Sequence, residues 1–288
     1  MPALTNRLPD YASLMRLDRP VGTLLLLWPT LAALWMGANG IPDAKLIVIF
    51  TVGTIVMRAG GCVINDYADR DFDKHVRRTR DRPLTAGRIS EIEALVLFAC
   101  LLALGAFLVL FLDPLTRWTA VGGAAVATVY PFMKRWTYMP QVVLGVAFSW
   151  GILMAFTATR GQLPEAAWLM FVGSMLWIVA YDTMYAMVDR DDDVKAGIKS
   201  TAILFGGLDR VMVAALQLGA LFAFWTAGQR LDYSWIWAAS IAAAAAFFCY
   251  QHLLIRRRLR DQCFAAFRNN VWVGFALFCG AVIETALK

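Results

Sequence analysis

Long stretches without a charged residue limit the fold of this chain more than any other feature of its sequence. Residues 21–37, 94–112, 166–181 and 211–229 contain no Asp, Glu, Lys or Arg. A helix needs ~20 mostly apolar residues to cross the ~30 Å hydrocarbon core of a bilayer, where it satisfies its own backbone hydrogen bonds. Only 17% of the residues are charged, against about 25% in soluble domains. The sequence therefore predicts an all-α polytopic membrane protein.

Nine candidate membrane spans follow from the apolar segments, with boundaries good to a few residues. They lie at about 21–37, 45–63, 92–112, 115–133, 139–158, 166–187, 207–228, 234–254 and 269–286. One alternating set of connections carries 21 of the 27 Lys and Arg residues, and the other set carries five. Positive residues accumulate on the cytoplasmic side, so we expect a cytoplasmic N-terminus and a periplasmic C-terminus. This topology accounts for the net charge of +6, and no nucleic-acid partner is predicted.

Two acidic motifs stand out among these connections. The pattern Asp-Arg-Asp-x-Asp occurs at 69–73 and again at 189–193, each time after an even-numbered span. The repetition indicates one domain over 1–288, built from two quasi-repeated halves at roughly 14–135 and 136–285. One acidic site from each half would then face a shared cavity.

The spacing within each motif predicts rows of side chains on a helix. Residues four apart lie on one helical face, which gives the rows Asn65/Asp69/Asp73 and Tyr185/Asp189/Asp193, with Asp182 one turn earlier. Mg²⁺ prefers oxygen ligands and is commonly held between carboxylates and phosphate. The predicted metal ligands are Asn65, Asp69, Asp73, Asp189 and Asp193. A solvated helix end is the alternative for either motif alone, but two matched motifs at the membrane edge favour a functional site.

Basic residues near the motifs suit an anionic substrate. Arg58 lies inside an apolar span and needs an acidic partner or an anionic ligand. Arginine binds phosphate oxygens through its planar fork, and Arg82 is the candidate in the loop after the first motif. The other basic residues of that loop are attributed to topology and lipid headgroups. Further candidates for substrate binding are Arg16, Tyr130, Lys134, Tyr185, Lys195 and Lys199.

The paired motifs resemble those of the UbiA superfamily of intramembrane prenyltransferases. The first family motif, NDxxDxxxD, begins at Asn65, and the second follows the stretch that begins at Tyr181. The resemblance covers about 14–285. The segments RLDRPVGTLLLLWPT, RPLTAGRI, YPFMKRWTYMPQVVLG and GIKSTAILFG resemble the bacterial branch that prenylates 4-hydroxybenzoate.

This resemblance implies about nine helices around a central cavity, with Asp-rich cytoplasmic loops, in a bacterial inner membrane. It also implies Mg²⁺-dependent transfer of a polyprenyl group from polyprenyl diphosphate to 4-hydroxybenzoate, ortho to the hydroxyl, in ubiquinone synthesis. Arg135 gains a catalytic role from the resemblance, because the arginine of the YPFMKR stretch is important in that branch. Membrane lipid is an expected partner, and no oligomeric state is predicted.

Roles within the reaction follow as hypotheses. Asp69, Asp73, Asp189 and Asp193 act through the metal, and Arg58 or Arg135 holds the acceptor's carboxylate. An aspartate, Asp182 or Asp191, assists removal of a proton. Alternatives are a different acceptor (a naphthoate, homogentisate or haem) or a transporter that uses the aspartates as a cation relay. Relay residues would be expected deeper within the spans.

Overall fold

The computed structural model describes residues 7–74 and 78–288, apart from the side chains of Phe72, Lys134 and Ala196. Regular structure in this part of the chain is entirely helical. The helices are α1 (Leu8–Leu14), α2 (Val21–Ala38), α3 (Ala44–Asp73), α4 (Glu91–Val109), α5 (Pro114–Val129), α6 (Met133–Trp136), α7 (Pro140–Arg160), α8 (Glu165–Ala196), α9 (Thr201–Phe205), α10 (Asp209–Gln229), α11 (Trp235–Ile255) and α12 (Arg260–Ala286). Two 3₁₀ turns, Tyr130–Phe132 and Gly206–Leu208, lead into α6 and α10.

Eight of the described helices are long and apolar enough to cross a membrane, namely α2, α3, α4, α7, α8, α10, α11 and α12. Helix α5 corresponds to the predicted fourth span. It has only 16 residues, although the 3₁₀ turn and α6 continue the helical path to Trp136. The predicted all-α polytopic fold is therefore confirmed, and the count of nine spans is approximate.

Helices α3 and α8 run well past the ends of the predicted second and sixth spans. They contain 30 and 32 residues, which at 1.5 Å per residue makes them roughly 45 and 48 Å long. The hydrocarbon core is only ~30 Å thick. Both acidic motifs therefore lie on the last turns of long helices, not in the loops that the resemblance implied.

One large core joins the helices of the two predicted halves. Helix α8 packs against α7, α10 and α12, while α2 packs against α7 and α12. Trp177, Phe156, Phe224 and Trp237 are fully buried in this core. Small residues bring helices close together in membranes, and a Cβ at Gly173 would lie 2.8 Å from the Phe224 ring. The acidic end of α8 packs in a second, smaller cluster with Met187 and Val188, and the acidic end of α3 packs in a third with Val63 and Leu84.

Helices α4 and α5 stand at the periphery of this frame. Only 11% of the apolar stretch of α4 is buried within the protein, and the helix packs mainly on α3. Helix α5 packs mainly on α7. Most of the surface of α4 is therefore available to lipid, and the two helices form a thin wall over the space between α3 and α7.

Candidate active site

A cavity of about 1100 Å³ lies between the helices, and its polar end includes Asn65 and Asp66 of α3 and Asp182 and Tyr185 of α8, close to the acidic motifs in the chain. Its walls away from the motifs are mostly apolar and come largely from α3, α4, α5 and α7, with Phe50, Leu102, Ala124, Phe148 and Met154 among them and Arg117 as a charged exception. Its polar end is lined by Arg16, Arg58, Asn65, Asp66, Arg78, Arg82, Tyr130, Tyr181, Asp182 and Tyr185. The cavity thus combines a charged end with a long apolar compartment, which suits an amphiphilic substrate with an anionic head.

Asp66, on α3, is the most enclosed carboxylate at the polar end. Its side chain is almost inaccessible to solvent and accepts hydrogen bonds from Arg16 Nη2 at 2.8 and 2.9 Å. Arg82 Nη1 donates to the same carboxylate at 2.9 Å. Two arginines from different segments therefore meet at one buried aspartate.

The first predicted row lies on the adjacent face of α3. Asn65 Nδ2 donates to Asp69 Oδ2 at 3.1 Å, and Arg82 Nη1 donates to Asp73 Oδ2 at 2.7 Å. Thr79 Oγ1 donates to the backbone carbonyl of Asp73 at 3.1 Å and fastens the following loop to the helix end. Asp69 and Asp73 are both buried, so the helical row that the spacing predicted is enclosed by protein.

The second row is connected to the first through the same loop. Arg78 Nε donates to Asp189 Oδ1 at 3.2 Å and to Oδ2 at 3.0 Å, while its guanidinium lies 4.7 Å from the centre of the Tyr185 ring. Burial lowers the pKa of Arg82, but the carboxylates of Asp66 and Asp73 outweigh this effect and raise it. Both loop arginines remain charged between the two acidic helices.

The oxygen-rich donor set fits a magnesium ion. Buried carboxylates of Asp69 and Asp73 stand on one helix end and those of Asp189 and Asp193 on the other, and carboxylate oxygens are the ligands that Mg²⁺ takes. Within residues 7–74 and 78–288, no group of three or more His, Cys, Asp or Glu side chains is already gathered as a metal site. Each acidic helix end also pairs with an arginine of the loop after α3: Arg82 donates to Asp73, and Arg78 donates to Asp189.

Arg58 has a buried nitrogen, Nε, that makes no hydrogen bond in the described structure. Its guanidinium lies 5.6 Å from the centre of the Phe148 ring. The hydroxyl of Tyr181 is also buried and without a partner among the described residues. Both side chains line the cavity. Buried polar groups usually have partners, so these two atoms mark a place for a polar ligand group.

Aromatic side chains of α8 and α12 line one side of the polar end of the cavity. The ring centres of Tyr185 and Phe267 are 4.6 Å apart, and Phe264 stacks on Phe267 at 6.1 Å. Arg268 lines the cavity beside them. Phe264, Phe267 and Arg268 carry no signal in the sequence pattern, because α12 is far from both motifs along the chain.

Seven predicted site residues line the cavity, and they are Arg16, Arg58, Asn65, Arg82, Tyr130, Asp182 and Tyr185. The four predicted metal-binding aspartates do not line it but are buried nearby, and two of them, Asp73 and Asp189, pair with the lining residues Arg82 and Arg78. Arg78, which the loop composition assigned only to topology, is therefore a residue of the site. Nothing in the sequence separates it from the neighbouring arginines of that loop.

Three other predicted residues lie outside the cavity, which differs from the direct substrate contacts expected of them. Arg135 Nη2 donates to the carbonyl oxygen of Ala68 at 2.8 Å, so it supports α3 from outside. Lys199 Nζ approaches the carbonyl oxygen of Arg135 at 3.5 Å. Lys195 is exposed on the last turn of α8. The Lys134 side chain lies outside the described residues.

The fold and this site define a class: a multi-pass helical membrane protein whose paired acidic helix ends and arginines close one end of an apolar cavity. The chain matches the model of the UbiA prenyltransferase family over residues 26–278, and it belongs to this family. It is 55% identical over 279 residues to the 4-hydroxybenzoate octaprenyltransferase of Ectopseudomonas mendocina (strain ymp), covering 97% of this chain and 94% of that protein. The protein of the same description from Marinobacter nauticus is 54% identical over 282 residues, covering 97% and 96%.

Solved structures of distant relatives share the fold. The apo structure of a UbiA homolog from Aeropyrum pernix K1 has a TM-score of 0.80 at 21% identity and covers 91% of this chain and 97% of that chain. A UbiA homolog from Archaeoglobus fulgidus, whose structure is bound to GPP and Mg²⁺, has a TM-score of 0.70 at 18% identity and covers 94% and 99%. The arrangement of helices is therefore that of the family.

Proposed function

We propose that this chain transfers a polyprenyl group from polyprenyl diphosphate to the ring of 4-hydroxybenzoate, ortho to its hydroxyl, as a step of ubiquinone synthesis. The observation that carries the proposal is the cavity whose charged end meets a long apolar compartment. The names of relatives at 54–55% identity over nearly the whole chain support the same reaction.

The diphosphate would bind at the polar end of the cavity. Arg16, Arg78 and Arg82 present guanidinium groups there, and such groups bind phosphate oxygens with charge-assisted hydrogen bonds. Asp69 and Asp73 on α3 and Asp189 and Asp193 on α8 would hold Mg²⁺, with Asn65 as a further oxygen ligand. When bound, Mg²⁺ supplies positive charge that stabilises the departing diphosphate. The structure of the A. fulgidus relative bound to GPP and Mg²⁺ supports binding of a prenyl diphosphate together with Mg²⁺ by this fold, and the choice of residues rests on their carboxylates.

The apolar compartment would hold the prenyl chain and exclude water from the reacting carbon. Exclusion matters because water would capture the allylic cation as an alcohol. The diphosphate leaves with the electron pair of the C–O bond, and ring faces beside the site stabilise the cation that remains. Phe264 and Phe267 line the cavity at its polar end and would offer such rings.

The acceptor would bind deeper, beside Arg58 and Tyr181. The Arg58 guanidinium would hold the carboxylate, and the Tyr181 hydroxyl would provide a further hydrogen bond. The ring carbon ortho to the hydroxyl forms the new C–C bond and then releases its proton. Asp182 lines the cavity and would accept this proton, whereas the side chain of Asp191 is 78% exposed and is unsuited to the role. Arg135 would act indirectly, through its hydrogen bond to α3.

The membrane location follows from the helices, and its finer details are part of the proposal. The chain would lie in the bacterial inner membrane, with the acidic ends of α3 and α8 and the N-terminus in the cytoplasm and the C-terminus in the periplasm. The 21-to-5 distribution of Lys and Arg supports this orientation. The division of one domain into two quasi-repeated halves stays a prediction.

The test is prenyl transfer in membranes that contain the protein, supplied with 4-hydroxybenzoate and a polyprenyl diphosphate, with and without Mg²⁺. Mass spectrometry should detect prenylated 4-hydroxybenzoate only when Mg²⁺ is present. Asp69→Asn and Asp189→Asn should reduce the rate at least about 100-fold, because metal-stabilised charge contributes several kcal/mol. Asp71→Asn is the matched control, since the side chain of Asp71 is 73% exposed. Product formation from a naphthoate or homogentisate but not from 4-hydroxybenzoate would contradict the proposed acceptor.

A further inference from the structure

We infer that Asp66 is a positioning residue that directs Arg16 and Arg82 at the diphosphate end of the cavity, and that it is not a metal ligand. The inference rests on the proposed function, because it assigns the two arginines to a diphosphate. It gives Asp66, the second residue of the NDxxDxxxD motif, a role different from that of Asp69 and Asp73.

The contacts of Asp66 are those of a carboxylate committed to arginines. Only 1% of the residue is exposed, and both of its oxygens accept hydrogen bonds from Arg16. Oδ1 also accepts from Arg82 Nη1 at 2.9 Å. Hydrogen bonds between ionised groups of this length are among the stronger ones in proteins. The carboxylate oxygens are thereby engaged by two cations, and their geometry favours holding those cations in place.

The position of Asp66 on α3 explains why it pairs with Arg16 in addition to Arg82, which it shares with Asp73. Asp66 follows Asn65 by one residue, which turns its side chain by about 100° around the helix. Asn65 and Asp69 hydrogen-bond to each other along the row, whereas Asp66 meets the segment between α1 and α2. Arg82 therefore contacts both sides of the helix end, through Asp66 and Asp73, whereas Arg16 pairs with Asp66.

The backbone at Arg16 supports a functional placement of its guanidinium. Arg16 has a φ of 57°, in the left-handed region that residues other than glycine adopt only rarely. Such strain persists where surrounding contacts enforce it and is common at functional sites. Arg16 Nη1 donates to the carbonyl oxygen of Ser13 at 2.6 Å, and Nη2 pairs with Asp66. These contacts hold the Arg16 guanidinium at the polar end of the cavity.

Arg82 can donate hydrogen bonds to two carboxylates and to a ligand at the same time. Its Nη1 donates to Asp66 at 2.9 Å and to Asp73 at 2.7 Å. A guanidinium has five N–H donors in a planar fork, so its other nitrogens provide further donors for phosphate oxygens. Loss of Asp66 would leave Arg82 held by Asp73 alone and would release Arg16 from α3.

The first experiment separates a positioning residue from a metal ligand. Asp66→Asn is compared with wild type for the KM for polyprenyl diphosphate, the KM for the benzoate acceptor and the Mg²⁺ concentration at half-maximal rate. Loss of a charge-assisted hydrogen bond should raise the KM for polyprenyl diphosphate about 10- to 100-fold. The other two values should stay within about twofold, and Asp66→Glu should recover part of the loss. A large rise in the Mg²⁺ requirement at an unchanged KM for polyprenyl diphosphate would make Asp66 a metal ligand and overturn the inference.

A double-mutant cycle tests whether Asp66 acts through Arg16. If it does, Arg16→Ala combined with Asp66→Asn should raise the KM for polyprenyl diphosphate little more than either change alone, because coupled residues are not additive. Fully additive effects would contradict the coupling. Arg16→Gly relieves the left-handed backbone but removes the guanidinium, and it should be as impaired as Arg16→Ala. Wild-type activity in Arg16→Gly would mean that only the turn matters.

The matched control is Asp10→Asn. Arg88 Nε donates to Asp10 Oδ1 at 2.7 Å, so this pair also joins the N-terminal segment to the loop before α4, but on the exposed surface. The variant should keep all three kinetic values near wild type. Binding of a non-reactive prenyl thiodiphosphate, measured without acceptor, keeps the inference separate from the proposed function. Weaker binding by Asp66→Asn supports the inference even if 4-hydroxybenzoate is not the acceptor, and equal binding overturns it.

Discussion

Gly22 leaves the space that the Arg58 side chain occupies at the cavity wall. A Cβ at Gly22 would lie 2.5 Å from Arg58 Nη2 and 2.7 Å from Nε. These separations are far shorter than an ordinary van der Waals contact, so a methyl group would displace the guanidinium. The pair offers a way to move a single charge within the cavity without removing it.

Gly22→Ala should therefore weaken binding of the benzoate acceptor more than binding of polyprenyl diphosphate. We expect the KM for the acceptor to rise about 10-fold, equivalent to about 1.4 kcal/mol, with little change in the KM for the diphosphate. Steady-state kinetics with each substrate varied in turn would measure both. Gly53→Ala is the control, because Gly53 also lines the cavity on α3 but has open space at its Cβ position. An equal rise in both KM values would contradict the assignment of Arg58 to the acceptor.

Three arginines show which charged residues of the site can be predicted from the sequence and which cannot. Arg58 can be singled out because a charge inside an apolar span requires a ligand or partner. Arg78 cannot, because its loop contains several arginines and only the fold brings one of them to Asp189. Family resemblance assigns Arg135 to the reaction, while its contact with the carbonyl oxygen of Ala68 depends on how the 3₁₀ turn before α6 packs against α3.

At the scale of helices, a buried carboxylate connects three segments behind the second acidic motif. Asp209, at the start of α10, is fully buried and accepts hydrogen bonds from Arg258 at 2.7 to 3.1 Å. Arg190 of α8 approaches the same carboxylate at 3.4 Å. The hydrogen bond with Asp209 raises the pKa of Arg258. The ends of α8, α10 and the segment before α12 are thus joined at one point.

Asp209→Ala should lower the stability of the protein more than removal of an exposed partner. Breaking a fully buried ion pair costs about 3–5 kcal/mol, but Arg190 and Arg258 are each about one-third exposed and can regain water, so we expect about 2 kcal/mol. Glu165→Ala is the control, because the Glu165–Arg230 pair is more than half exposed and should contribute about 0–1 kcal/mol. Melting temperatures in detergent would compare them. A smaller loss in Asp209→Ala than in Glu165→Ala would contradict the structural role.

Helix length is the weakest part of the sequence prediction at this scale. Hydropathy marks the second and sixth spans correctly but ends them where the polar residues begin. The acidic rows continue the helices to Asp73 and Ala196, because partly buried arginines and two smaller apolar clusters support polar turns beyond the apolar segment. The spacing of four residues, which is a property of the helix itself, predicts the shared faces even though hydropathy does not.

At the scale of the whole molecule, the proposed orientation predicts which connections an impermeant reagent can reach. Gln162→Cys, between α7 and α8, should react with a membrane-impermeant maleimide in intact spheroplasts. Arg257→Cys, between α11 and α12, should react only after permeabilisation. Both positions are exposed, and positive residues favour the cytoplasm for the second one. Mass spectrometry would measure the labelling, with the unsubstituted protein as the background for its native cysteines. The reverse pattern would contradict a cytoplasmic N-terminus.

The shape of the cavity carries a last prediction about the prenyl chain. Small side chains line it along α5 at helical spacing, at Ala120, Gly123, Ala124 and Ala127. Helix α4 contributes Gly105 and Ala106 to the same cavity. Residues three and four apart share a helical face, so the two helices leave an apolar passage between them that a long chain can fill. A larger side chain here would shorten the compartment without touching the polar end.

Ala124→Leu should therefore discriminate between long and short prenyl diphosphates. We expect transfer of an octaprenyl group to fall about 10-fold or more, since overpacking an apolar space typically costs about 1–3 kcal/mol, while transfer of a geranyl group stays near wild type. Ala125→Leu is the matched control, because Ala125 is on the same helix but is exposed and does not line the cavity. Competition between the two diphosphates, with products separated by mass, would measure the ratio directly. A geranyl chain would be too short to reach this part of α5. An equal loss with both chain lengths would therefore contradict the binding of the prenyl chain beside Ala124.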